Sequence, residues 1–203
     1  MEMTGQAREA CTAFEGSRAL ASGELVLVAE KVKEMIDRGE ALSVLIFDDL
    51  ISELIEVDFR GTIEDVLLRL KKPAVTEEPA HPRGPGRPKL GVVPREVTLL
   101  PRHWEWLNAQ PGGTSVALRK LVEEARRVNT KRDLLRSSQA SLYRFISAMA
   151  GDLPGFEEAS RALFARDPER FNQHIASWPV DIQSHVQKLS VNAFCSKGTE
   201  GSH

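Results

Sequence analysis

Five prolines fall within residues 71–89, KKPAVTEEPAHPRGPGRPK. Each fixes its own φ and removes a backbone donor, and each biases the residue before it away from the helical region. No helix or central strand can run through such a stretch. Residues 71–91 are therefore expected to form an extended Pro/Gly linker between two folded parts.

Charge divides the chain at the same place. Residues 1–80 hold 9 Lys and Arg against 17 Asp and Glu, and residues 81–144 hold 13 against 5. Residues 145–203 hold 5 against 7, so a net charge of −2 conceals a middle third of +8. A basic block between acidic neighbours suggests a polyanion as partner; a solvated basic face is the plainer alternative.

Before the linker, the pattern reads as a small α+β domain over 12–70. Residues 14–22 read as a short strand or hairpin around Gly16. Leu25, Val28, Ala29, Val32, Met35 and Ile36 keep helical spacing up to Gly39, which suits the position just past a helix end. LSVLIF (42–47) and ELIEVDF (53–59) read as the two arms of a hairpin, turning at Asp48, Asp49 and Ser52. Gly61 ends the return strand, and Thr62 caps a helix opening with TIED.

After the linker the chain is mainly helical. A short strand over 95–100 meets Pro101, which suits a helix's first turn. Further helices are expected over 115–128, 131–150, 155–166, 168–176 and 179–192. The fold class is thus α+β: a small α+β domain, a basic linker, then a short strand followed by a mainly α-helical C-terminal half. The expected divisions are 12–70, 71–91, 92–128, 129–193 and a disordered polar tail over 194–203.

The segment VVPREVTLLPRHWEWLNAQPGGTSVALRKLVEEARRV (92–128) places a strand, a helix, a glycine turn and a Ser-capped helix within 37 residues. In that last helix Leu118, Leu121, Val122 and Ala125 form an apolar stripe. The arrangement resembles the ribbon-helix-helix module of Arc- and MetJ-type repressors. The resemblance implies a homodimer whose paired strands enter the major groove of double-stranded DNA, with a phosphate at the N-terminus of the second helix. Carried over, Arg95 and Thr98 would lie on the ribbon, and Thr114 and Ser115 at the helix start. Arg102, Arg119 and Lys120 would add backbone contacts. Leu99 and Leu100 are adjacent, so two strand phases stay open: Leu100 inward with Val97 and Leu99 toward DNA, or the reverse with Glu96 and Thr98 outward.

Upstream, Arg83-Gly84-Pro85-Gly86-Arg87-Pro88-Lys89 resembles an AT-hook. That likeness implies Arg83, Arg87 and Lys89 in a narrow A·T minor groove, with Pro85 as a departure from the core motif. The stretches GRPKLGVVPREVTLLPRHWEWLNAQPGG and AMAGDLPGFEEASRALF are similar to a family of bacterial proteins of unassigned function.

Other chemistry is sparse. No P-loop, nucleophile elbow or HExxH occurs, so no enzyme, cofactor or metal is expected. Asp48-Asp49 could hold a divalent ion at a strand end, but a solvated turn is the simpler reading. His103, His174 and His185 have no partner at metal spacing. Cys11 and Cys195 make no metal or disulfide pattern. No apolar run spans a membrane, and MEMTGQAREACTAFEG has no signal-like core, so a cytoplasmic location is expected. Two functions are consistent with these signals: a DNA-binding, regulatory dimer, or a protein–protein adaptor whose helices over 131–192 hold a partner.

Overall fold

Side chains of the first strand alternate between two buried faces, and that alternation organises the sheet region. The structure is a computed structural model that describes residues 10–71, 93 and 95–194. Strand β1 (Ala10–Glu15) pairs antiparallel with β2 (Arg18–Glu24) on one side and with β3 (Val44–Asp48) on the other. A two-residue turn joins β1 to β2, with Gly16 at φ 54°, the left-handed conformation such hairpins favour.

One face of the sheet carries Cys11, Ala13 and Ile46. They pack with Val28 and Val32 of α1 (Leu25–Asp37). The helix ends as the sequence predicts: Gly39, at φ 71°, donates to Ile36, and Glu40 donates to Met35. The opposite face carries Phe14 and Phe47, which join a larger core with Leu142, Phe145 and Val186. Ring centroids of Phe14 and Phe47 lie 5.5 and 5.1 Å from that of Phe145. Each such buried side chain stabilises the fold by about 1.5–3 kcal/mol relative to exposure.

That second core is built by distant helices. They are α5 (Phe156–Ala165), α6 (Pro168–Ile175), α7 (Val180–Ser190) and the later part of α4 (Thr114–Ala150). Asp167 caps α6 by accepting from the Arg170 N–H at 3.0 Å, with Pro168 in its first turn. Polar bonds tie the same halves together. Ser52 and Ser141 hydroxyls lie 2.8 Å apart in a buried contact, and the Ala19 N–H donates to Asp181 at 2.9 Å.

The described residues thus divide into two units, one of residues 10–71 with 132–194, the other of residues 93–131 less residue 94. The two segments on either side of the second unit in sequence share one interior.

Three expected elements differ. The return strand over 53–59 contributes one bridge, Leu54 to Phe47, made by two bonds: the Ile55 N–H donates to Ile46 and the Asp48 N–H donates to Glu53. The chain then parts from β3, leaving an open groove beside Leu42, Leu45 and Val57. Before this, the Asp48 carboxylate accepts from the Leu50 and Ile51 N–H groups and closes the turn. The Thr62 start is as expected: Thr62 and Asp65 exchange side-chain-to-backbone bonds at the head of α2 (Ile63–Lys71). In the second unit, residues 95–100 form no strand. A ribbon strand is held by its twin's ladder bonds, and one chain supplies no twin. Finally, the helices read as 115–128 and 131–150 are one. Asn129 and Thr130 bond back to the Ala125 and Arg126 carbonyls at 2.8 and 2.7 Å, so the polar pair continues the helix instead of ending it.

Candidate nucleic-acid interface

The second unit holds α3 (Pro101–Asn108) and the first half of α4. Pro101 stands in the first turn of α3 after an extended Leu100, so its missing N–H costs no helix bond. Gly112 and Gly113, at φ 88° and 77°, then turn the chain into α4. Only glycine suits Gly112: a Cβ there would lie 3.1 Å from the Val116 side chain.

Side-chain bonds brace this turn and the helix start beyond it. The Thr114 hydroxyl donates to the Asn108 side chain at 2.6 Å, tying the end of α3 to the start of α4. Arg119 folds back along its own helix and donates to the Ser115 carbonyl and hydroxyl at 3.1 and 3.3 Å. Ser115, Arg119 and Lys120 are exposed within the first two turns. One turn on, Arg126 and Arg127 pair with Glu123 and Glu124 at 3.1 and 2.8 Å, which cancels much of their charge. The structure thus brings together Thr114, Ser115, Arg119 and Lys120. Arg102 is exposed in the first turn of α3, and Arg95 and Thr98 are exposed in the irregular segment before it. Arg83, Arg87 and Lys89, with the AT-hook-like run, lie outside the described residues, as does the tail from Cys195.

The acidic pair Asp48-Asp49 is divided by the fold. Asp49 is not solvated: its carboxylate accepts from the Thr12 hydroxyl at 2.7 Å and from Lys188 Nζ at 2.5 Å. His185 Nε2 lies 3.9 Å from the same carboxylate, buried and with no hydrogen bond. The ring packs instead on Phe14 and Phe145, with centroids 5.3 and 4.4 Å away. Burial lowers the His185 pKa from 6.5 to about 4; Asp49 opposes that shift and Lys188 adds to it. Burial, with Asp49 and Asp48, raises the Cys11 thiol to about 11, so it stays protonated. Sequence reading missed this cluster, whose members stand far apart in the chain. Among the described residues no group of three His, Cys, Asp or Glu is arranged to hold a metal ion. No helix among them is long and apolar enough to cross a membrane.

These features describe an α+β protein with a small antiparallel sheet, a mainly helical second half and a basic middle segment. The chain belongs to the bacterial family described as "Uncharacterized protein conserved in bacteria (DUF2239)", whose model matches residues 10–190. No curated protein and no solved structure matches it.

Proposed function

We propose that the protein binds double-stranded DNA through the basic segment 83–127, in a regulatory role. One observation carries this reading. Ser115, Arg119 and Lys120 are exposed on the first two turns of α4, within the stretch 81–144 of net +8. A helix start offers unpaired backbone N–H groups and a positive dipole end, and cations beside it favour a phosphate oxygen. Arg95, Thr98 and Arg102 would extend the contact on the near side of α3. Arg83, Arg87 and Lys89 would do so along the linker. A ribbon-helix-helix mode needs a second copy of the chain to supply the twin strand. The reading carries a cytoplasmic location with it, since bacterial DNA lies there.

The test is fluorescence anisotropy of the full chain on mixed-sequence duplex at two salt concentrations. With about six phosphates contacted, affinity falls on the order of 10³-fold between 50 and 200 mM salt. Absence of binding at 50 mM, or binding indifferent to salt, refutes the proposal.

The adaptor reading has its own support. Tyr143 and Phe164 are 40% and 56% exposed, with ring centroids 5.4 Å apart, in an open groove with Arg136 and Arg144. Neighbouring exposed aromatics are the kind of feature that anchors a protein partner. A pull-down that depends on Tyr143 and Phe164, from a chain that ignores DNA, would favour it.

A further inference from the structure

The described residues of the second unit bury little apolar surface. Among its described residues only Leu107 and Ala117 are buried hydrophobics. Several of its larger apolar side chains are exposed. Leu121, Val122 and Val128 of α4 are 48%, 55% and 69% exposed.

These side chains are not scattered. Leu118, Leu121, Ala125 and Val128 succeed one another at intervals of three, four and three, the spacing of a coiled-coil seam, with Val122 on its flank. Glu123, Arg126 and Arg127 occupy the other side of the helix, and Glu124, ion-paired with Arg127, borders the stripe. Leu134, also exposed, lies roughly 160° around the helix from Leu118 and is no part of the stripe. Past Arg132, which is exposed at the next position of this spacing, the pattern reaches buried Leu135, Gln139 and Leu142, where this face of α4 does pack. The stripe is therefore a packing face of α4 that is half-covered at Leu118 and uncovered over residues 121–128.

We infer that a second copy of the chain covers this stripe, with the two α4 segments packed antiparallel about Ala125 and Val128. Three observations choose that occupant. A three-four seam is self-complementary, so the same positions interlock across a two-fold axis. Ala125 at its centre allows close approach of two backbones. Charge selects the direction: Glu124 and Lys131 flank the seam on the same side, one heptad apart. In an antiparallel pair each Glu124 faces the partner copy's Lys131, whereas a parallel pair would set the two copies' Arg132 against each other. Arg119 and Lys120 stay on the outward side, so the interface holds whether or not the chain binds DNA.

Sedimentation equilibrium of the full chain without DNA tests this. The expected species is a dimer at micromolar concentration. Leu121→Glu with Val128→Glu should give monomer, and Leu134→Glu should leave the dimer intact. Should the glutamates unfold the chain, Leu121→Ala with Val128→Ala keeps helix propensity and should weaken dimerisation about tenfold or more. Lys131→Glu should weaken the dimer, and adding Glu124→Lys should restore it. A monomer up to about 100 µM, an association weaker than roughly −5.5 kcal/mol, overturns the inference. So does a dimer indifferent to the alanine pair, and failure of the double charge reversal to rescue overturns the antiparallel arrangement. DNA titration of the same variants separates this result from the DNA-binding proposal.

Discussion

The Lys188 ammonium sits 2.5 Å from the Asp49 carboxylate, a contact between chain positions 139 residues apart. It joins the end of β3 to α7 across the larger core. Asp49 is nearly buried while Lys188 is half-exposed, so the bond satisfies a carboxylate that water scarcely reaches. Lys188→Ala leaves that carboxylate with the Thr12 hydroxyl and no cation. The expected loss is about 1–3 kcal/mol in urea unfolding, the range for an orphaned buried polar group. Asp49→Asn with Lys188→Ala should lose less than the sum of the two single changes. Strict additivity would mean the contact contributes nothing.

His185 makes stability depend on pH. Its folded pKa, about 4, is below its ordinary 6.5, so the unfolded chain binds more protons between those values. Stability from the neutral, buried ring is complete above 6.5 and declines as pH falls toward 4. Below 4 this group adds no further loss. His185→Phe should flatten the slope of unfolding free energy between pH 6.5 and 4. An unchanged slope would assign the acid sensitivity to other groups.

Gly112→Ala should loosen the turn between α3 and α4. The left-handed backbone costs a non-glycine residue about 1–2 kcal/mol, and the new methyl would press on Val116. Hydrogen exchange should quicken at the amides of α3 and the first turn of α4, with the sheet amides unaffected. Equal exchange in variant and parent would show that the turn carries no strain.

Arg119→Ala and Lys120→Ala should each weaken DNA binding about equally on every duplex and lower the salt slope by about 1. Thr98→Ala should cost affinity only at a preferred sequence, by roughly 1–3 kcal/mol if it reads a base. Arg87→Ala should weaken binding to A·T-rich duplex more than to G·C-rich duplex. Anisotropy titrations over several salt concentrations separate these patterns. Equal losses on all duplexes for all four would reduce the segment to a basic clamp without readout.

Much of the sheet region was legible because its signals are local. Leu25, Val28, Ala29 and Val32 with Gly39 mark α1, and Thr62 with Asp65 marks α2; each motif lies within a few turns of chain. The helices from Phe156, Pro168 and Val180 announce themselves by glycine, Asp-Pro and Trp-Pro breaks. Long-range placement was not legible. Nothing near Asp49 announces Lys188 or His185, and LSVLIF reads as strongly apolar whether its second face meets solvent or Phe145. Asn129 and Thr130 misled because the same side chains that open turns can also bond back into a helix. Of the candidate site, the glycine turn and the start of α4 were readable from Pro111, Gly112, Gly113 and Ser115. The strand expected before them is irregular chain, because alternation alone does not supply the ladder partner a strand needs.

The shared interior of residues 10–71 and 132–194 also sets an order of events during synthesis. Phe14 and Phe47 emerge from the ribosome long before Phe145, their main aromatic neighbour, is made. At about 5–20 residues per second, the roughly one hundred residues between Phe47 and Phe145 take several seconds to translate. During that interval the nascent sheet has α1 on one side and bare aromatic rings on the other. A chain stopped at residue 131 would keep that face bare permanently and should be a substrate for chaperones, whereas one stopped just past α7 should escape them.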